Sequence, residues 1–288
     1  MPSSNWVPEI LVVTDALPPL SGGGTAYTHN SIAGLPYRVL CVCPFKSASI
    51  KRSVRLKRVI YTNFQIRNRL LRKLYSLSLY FQFAILPLIW ACRYRRYLKA
   101  VVCFQLAPAG VVGYLICLLL RIPYVVVTYG EELTQALKKK ILGRSVHQWL
   151  WALVLSKADH ITTISEFTSG VLNRFGVDDS RVSLIPPGIR GGDGTGPSEY
   201  LRSLLADRKL KQARLILMVG RLIARKGFDN AIRAFAEITD TVGSLHLLVV
   251  GAGEQEVFLE KLAESLTRPG EVVFLGDLKN EDINYLYS

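Results

Sequence analysis

Four short segments combine residue types and spacings that could do chemistry. The first is Gly22-Gly23-Gly24, preceded by Asp15 and Pro18-Pro19. Glycine lets a ligand approach the backbone, and a helix beginning there would offer free N–H groups and a positive dipole end to a diphosphate. The triplet also reads as a plain tight turn. It is neither a P-loop nor a dinucleotide fingerprint, since Gly-Lys-Ser/Thr and a third spaced glycine are absent. The second is Val219-Gly220-Arg221 followed by Arg225-Lys226-Gly227-Phe228. Arg221 leaves the end of an apolar run, and Lys226 stands five residues on, just before a helical pattern. Such cations could clamp a diphosphate and stabilise it as it departs, or could be solvated loop charges. The third, Gly251-Ala252-Gly253, is half a dinucleotide fingerprint with Glu256 where the third glycine should fall; a structural turn is the stronger reading. The fourth, Thr128-Tyr129-Gly130-Glu131-Glu132, carries the first acids after Asp15. It follows a strand-like run, where site residues collect, and equally suits carboxylates at a helix N-terminus.

The elements that must position these segments alternate. Short apolar runs predict buried parallel strands at Ile10–Val13, Val39–Cys43, Ala100–Phe104, Tyr124–Val127, His160–Thr163 and Val182–Ile185. Helical patterns fall between them at Gln65–Phe81, Gly110–Leu120 and Gln148–Ser156, with another capped near Ser165. Within Gln65–Phe81, leucines gather on one face and Arg67, Arg69, Arg72 and Lys73 point elsewhere, which predicts a basic amphipathic helix. Gly188–Pro197 holds five glycines and a proline and reads as a linker. The pattern then restarts, with strands at Leu215–Val219, Leu245–Val250 and Val272–Leu275 and helices at Phe228–Ile238, Gln255–Leu266 and Asn280–Tyr287. Alternation of this kind implies parallel sheets with right-handed crossovers. The expected fold is α/β: two tandem doubly wound, Rossmann-like domains at 1–190 and 199–288, joined by a linker at 191–198, the second domain incomplete.

Composition narrows the function classes. Half of the 288 residues are apolar and a fifth are charged, which suits a packed core and excludes disorder. Residues 1–190 hold 24 basic and 8 acidic side chains, whereas residues 191–288 hold 12 and 14. The positive field therefore belongs to the first half, and it would attract anionic lipid or phosphorylated substrates, or be simply solvated. Five cysteines without a C-x-x-C pair and four histidines without ligand spacing argue against a disulfide framework or a metal site, and fit a reduced cytoplasmic setting. Mean hydropathy is +0.24. The apolar stretches Leu74–Ala91 and Val101–Val127 are each broken by polar residues or prolines, so they read as core elements rather than membrane spans. No signal peptide is visible.

Taken in order, these segments resemble the retaining family-four glycosyltransferases of the GT-B fold, including phosphatidylinositol mannosyltransferase-like members. The resemblance runs through the glycine-rich loop, IPYVVVTYGEEL at 122–133, ADHITTISEFT at 158–168 and VSLIPPGI at 182–189. Its most specific part is VGRLIARKGFDNAIRAF at 219–235, followed by LLVVGAGE at 247–254 and VVFLGDLKNEDINYLY at 272–287. It implies transfer of a hexose from a nucleotide-sugar donor to a lipid-linked, saccharide or other acceptor, with retention of configuration and without a bound metal. By position it implies that Arg221 and Lys226 hold the donor diphosphate, with Gly220 and Gly251 beside them. Backbone at Gly22, Gly23 and Gly24 would face that diphosphate across a cleft, and Tyr129, Gly130 and Glu131 would border sugar or acceptor. Many relatives carry His where Tyr129 stands and Asp where Arg190 stands. The family's acidic motif, a pair of glutamates contacting the donor, is expected beyond Tyr287, so the C-terminal half looks cut short.

Three other classes compete. A non-catalytic binding or scaffold protein could keep the fold without the acidic motif. A nicotinamide-dependent oxidoreductase would need a third glycine and a ribose-binding acid at a strand end; Glu271 precedes its strand. Nucleic-acid binding rests on net charge alone, and no reader motif supports it.

Overall fold

The computed structural model describes residues 6–17, 22–44, 50–58, 69–138, 146–188, 196–207, 210, 213–239 and 245–287. The chain divides into two compact units, 1–188 and 189–288.

Unit 1 is built on strands β1 (Ile10–Val13), β2 (Val39–Cys43), β3 (Val54–Arg58), β4 (Ala100–Phe104), β5 (Tyr124–Thr128), β6 (His160–Thr163) and β7 (Val182–Leu184). They form one parallel sheet in the order β3-β2-β1-β4-β5-β6-β7. Val, Ile and Leu on both faces of β1 and β2 make these strands fully buried, as a sheet covered on both sides requires. Helix α1 (Gly23–Gly34) covers one face, where Ile10, Val12, Ile32 and Cys41 pack together. Helices α2 (Arg69–Tyr94), α3 (Val111–Leu120), α5 (Val146–Lys157) and α6 (Glu166–Asn173) cover the other, around Leu11, Val13, Ile116, Val126 and Val154. The short α4 (Glu131–Lys138) follows β5.

Local chemistry explains most of the boundaries. Ser165 accepts from the Thr168 N–H at 3.2 Å and starts α6. Arg121 takes a left-handed conformation (φ 56°) that ends α3 two residues before Pro123. Arg181 donates to the carbonyls of Leu155, Ser156 and Ala158 at 3.3, 3.1 and 3.0 Å, closing the end of α5.

Strand β3 carries three basic residues in five and gives no apolar run, so its sequence does not announce it. Among the described residues it is an edge strand paired with β2, and two of its cations rest on aromatic rings: Arg55 lies 4.2 Å from the Trp6 ring centre and Lys57 4.7 Å from that of Trp90. Leu74–Ala91 falls inside α2, and Phe83 and Ala91 pack into the core. Among the described residues no helix is long and apolar enough to cross a membrane. The predicted basic face of Gln65–Phe81 falls largely on residues outside those whose side chains are described.

Unit 2 holds β8 (Arg214–Val219), β9 (Leu245–Val250) and β10 (Val272–Gly276) in a parallel sheet ordered β10-β9-β8. Helices α7 (Glu199–Asp207) and α10 (Asn280–Tyr287) lie on one face, and α8 (Phe228–Ile238) and α9 (Glu256–Leu266) on the other. Ser198 joins α7 to α10, donating its N–H and hydroxyl to buried Asp282 at 2.7 and 2.9 Å. Strand β8 is an edge, and its Leu215 and Ile216 are exposed.

Candidate functional site

Strand order reverses direction between β1 and β4 in unit 1, and ligands of doubly wound sheets bind outside the carboxyl ends of such strands. Residues leaving β1 and β5 meet α1 at that place. Gly22 is the N-cap of α1 at φ 130°, and Gly23 and Gly24 form its first turn, so the triplet lies inside the helix start rather than before it. A Cβ at Gly22 or Gly23 would meet nothing within 4 Å, whereas one at Gly24 would lie 3.6 Å from the Tyr129 ring.

Tyr129 is fastened to α1. The Thr28 hydroxyl donates to the Gly24 carbonyl at 2.9 Å, so the Tyr129 phenol is the donor in its short hydrogen bond to Thr28 Oγ1. Tyr27 packs edge-on to the same ring, with centroids 5.8 Å apart. Burial pushes the Tyr129 phenol well above its usual value, so it is a neutral hydroxyl at working pH.

Gly130 turns the chain between β5 and α4 at φ 84°. A Cβ there would stand 2.5 Å from Thr168 Oγ1, so a turn this close to α6 admits only glycine. Glu131 and Glu132 both fall in the first turn of α4, the helix N-terminal placement the sequence allowed. Their fates differ. Glu131 is exposed, whereas Glu132 turns inward and accepts from Thr128 Oγ1 at 2.8 Å. Burial raises its pKa against that hydrogen bond. Asp15, leaving β1, is raised in the same sense, by burial first and then by the charge of Glu132. One of its carboxylate oxygens is buried without a hydrogen-bond partner among the described residues.

Asp15 and Glu132 are named from the sequence only as members of their segments, and neither is given a site role there. The cue was there in the long acid-free run between Asp15 and Glu131, but only the fold shows which carboxylates turn inward. Gln105 was also missed: it ends β4 at φ 79°, a left-handed conformation that a non-glycine residue adopts under strain, beside the strand reversal.

In unit 2 the strand ends meet through glycine. A Cβ at Gly251 would lie 1.9 Å from the Gly220 carbonyl oxygen, and one at Gly253 would lie 2.3 Å from that of Leu222. The Gly220 N–H donates to Val250 at 3.0 Å, and the Leu222 N–H to Ala252 at 3.0 Å. Gly251 and Gly253 are thus small because backbone packs on backbone, which supplies the reason for a structural turn there. The contact fixes the path of Arg221, which emerges exposed after β8. A 3₁₀ turn over Ala224–Lys226 follows, and left-handed Gly227 (φ 68°) then opens α8. Lys226 is exposed in that turn. Among the described residues neither Arg221 nor Lys226 has an ion-pair partner, so two uncompensated cations stand between the carboxyl end of β8 and the N-terminus of α8. A helix N-terminus flanked by two cations has the chemistry to receive an anion.

Comparison with known proteins agrees with this reading of the fold. The family model "Glycosyltransferase Family 4" matches residues 21–190, and "Glycosyl transferases group 1" matches residues 205–288. The 2-deoxystreptamine glucosyltransferase of Streptomyces kanamyceticus is 27% identical over 171 residues, covering 57% of this chain and 44% of that protein. A GDP-mannose-dependent alpha-(1-6)-phosphatidylinositol monomannoside mannosyltransferase of Mycolicibacterium smegmatis is 30% identical over 128 residues, covering 44% and 33%. The chain thus spans under half the length of these curated relatives. Among solved structures, Anabaena HepE in complex with UDP-glucose superposes with a TM-score of 0.68 at 18% identity, over 97% of this chain and 71% of that one. Sucrose-phosphate synthase of Thermosynechococcus elongatus gives 0.69 at 18% identity, over 97% and 73%. The parallel sheet of each unit is that of the GT-B enzymes, and with the first family model covering more than half of its length, the chain belongs to Glycosyltransferase Family 4.

Proposed function

We propose that the chain serves in a hexosyltransferase that moves a hexose from a nucleotide-sugar donor to a saccharide, lipid-linked or other acceptor with retention of configuration. The observation that carries the reading is the pair Arg221 and Lys226, uncompensated and exposed between β8 and α8. In this reading the diphosphate of the donor lies on that helix N-terminus, beside Gly220 and Gly251. When the bond from the sugar to the diphosphate breaks, the leaving group gains negative charge. Fixed cations favour that state over the ground state, so Arg221 and Lys226 are the catalytic residues. No metal is needed, because they supply the positive charge.

In the same reading the strand ends of unit 1 take the acceptor side. Gly22, Gly23 and Gly24 offer backbone donors, the Tyr129-Gly130-Glu131 turn forms a wall, and the unpartnered Asp15 oxygen accepts from a sugar hydroxyl. Relatives named for GDP-mannose and for a phosphatidylinositol monomannoside, and a neighbour bound to UDP-glucose, support a nucleotide-sugar donor and leave both saccharide and lipid acceptors in play. The basic first half supports work at the cytoplasmic face of a membrane.

The test is calorimetric titration and thermal shift against UDP, GDP, ADP and their sugar conjugates. One nucleotide should bind, and Arg221→Ala and Lys226→Ala should each weaken it by about 2 kcal/mol, the usual loss for a charge-assisted hydrogen bond. Unchanged affinity in both variants removes the phosphate role.

A further inference from the structure

Two inward-turned carboxylates meet at the strand ends of unit 1. Val13 of β1, Cys103 of β4 and Val126 of β5 are successive partners in the sheet. Two residues further along, Asp15 has left β1 and Thr128 ends β5, at the same carboxyl end. Glu132 folds back over that end, where its Oε1 accepts from Thr128 Oγ1 at 2.8 Å. The charge of Glu132 acts on Asp15, and the charges of both act on the Tyr129 phenol. Side chains from β1, from the β5–α4 turn and from α4 therefore share one place.

Ionised carboxylates this close repel each other, and burial adds a desolvation cost that a cation normally offsets. The same unit supplies the contrast. Glu9, its other half-buried acid, stands at the opposite end of the sheet and meets Lys99 at 3.0 Å and Arg38 at 3.5 Å. Asp15 and Glu132 have no ion-pair partner among the described residues, although residues 1–190 hold 24 basic side chains against 8 acidic. The buried Asp15 Oδ1 also lacks a hydrogen-bond partner among them. No group of three or more His, Cys, Asp or Glu side chains able to hold a metal ion occurs among the described residues, so the pair does not extend into a metal-ligand set there.

What complements such a pair brings positive charge and N–H donors together. A protonated amine does so: it is donor-only, with three N–H groups to share between carboxylate oxygens. A neutral sugar hydroxyl satisfies the Asp15 oxygen but leaves the two like charges unopposed. The net charge of +14 repels cations from the protein at large, so a cation held at this place is held by these groups.

We propose that the strand ends of unit 1 recognise an acceptor carrying a protonated amine, a polyol of the amino-sugar class, with Asp15 and Glu132 as the specificity-determining residues. The inference rests on the acceptor-side reading given above and narrows it, since the group that donates to the Asp15 oxygen becomes an ammonium rather than a hydroxyl.

Glucosamine, glucose and N-acetylglucosamine share one ring and differ at a single substituent, so together they separate charge from shape. Saturation-transfer NMR and calorimetric titration at neutral pH should show glucosamine bound at least about tenfold more tightly than either neutral sugar, the worth of one charge-assisted hydrogen bond. Asp15→Asn and Glu132→Gln should each weaken glucosamine and leave glucose unchanged, and the double variant should bind the three sugars alike. Both substitutions keep the side-chain shape and remove like-charge repulsion, so neither should lower Tm, which circular dichroism checks. Equal affinity for glucosamine and glucose, or no binding of glucosamine, overturns the proposal. So does a preference that survives in both variants, which would place the amine elsewhere on the protein. Titration of the same samples with UDP, GDP and ADP keeps this failure apart from failure of the function it rests on. Nucleotide binding without an amine preference sinks this inference alone, and an amine preference without nucleotide binding sinks the donor reading.

Discussion

Gly130→Ala is the substitution with the most sharply defined consequence in the candidate site. Two costs follow from its geometry. At φ 84° an alanine is held in the left-handed region, which costs about 1–2 kcal/mol. Its Cβ would also stand 2.5, 3.0 and 3.3 Å from Thr168 Oγ1, Cγ2 and Cβ. Thr168 is buried and tied to Ser165 through its hydroxyl at 2.9 Å and its N–H at 3.2 Å, so it cannot simply rotate away. Overpacking of this kind costs about 1–3 kcal/mol. The total, about 2–5 kcal/mol, corresponds to a fall in Tm of about 6–15 °C for a unit of this size. Thr168→Ala removes two of the three clashing atoms but leaves φ untouched. The double variant should therefore recover about 1–3 kcal/mol relative to the sum of the single changes, the range seen for contacting side chains. Urea and thermal unfolding of all four proteins completes the cycle. A Gly130→Ala protein within about 1 kcal/mol of wild type, or a coupling of zero, would refute the argument that close approach to α6 dictates this glycine.

Two further outcomes follow from the same structure. Asp15 and Glu132 have folded-state pKa values raised by burial above the ordinary 3.8 and 4.5, so the folded state holds their protons more tightly than the unfolded chain does. Their ionisation therefore subtracts stability as pH rises through the window between those ordinary values and the raised ones, and stability is recovered as pH falls back through it. Asp15→Asn should flatten the slope of Tm against pH in that window, and an unaltered slope would remove Asp15 from the coupled pair. In unit 2, Gly251→Ala forces a Cβ to 1.9 Å from the Gly220 backbone oxygen, where no side chain can yield; the cost should reach about 3 kcal/mol or more and lower the unfolding midpoint in urea, and a fully stable variant would show that the strand ends are not held by this contact.

Much of the architecture was legible in the chain because buried parallel strands advertise themselves. Ile10–Val13, Val39–Cys43, Ala100–Phe104 and Leu245–Val250 are short apolar runs, and the observed strands have those bounds. Helix Phe228–Ile238 was equally plain, since its apolar residues recur at helical spacing. Strand β3 was not legible, because an edge strand shows one side to solvent and its arginine and lysine are accommodated by tryptophans distant in sequence. Nor were α4 and α7, which span only eight and nine residues, about two turns, so their amphipathic pattern is too short to stand out from the turns before them.

The candidate site divides along the same line. Residue type and spacing brought forward Gly22–Gly24, the Tyr129-Gly130 turn, Arg221 and Lys226, because glycine and uncompensated charge are local signals. The sequence could not separate Glu131 from Glu132, which are adjacent and chemically alike; the Thr128 hydroxyl at the end of β5 is what holds Glu132 inward. It could not assign Asp15 either, since a carboxylate is remarkable only once burial has removed its water and an opposing acid has been brought to it. Nor could it show that the glycines at 251 and 253 serve backbone contact, because the carbonyls they accommodate come from a neighbouring strand and its turn. Local sequence determined which elements form and which charges are available. The pairing of β1 with β4 and of β8 with β9 decided which of those groups meet, because desolvation and close approach exist only after distant segments are packed together.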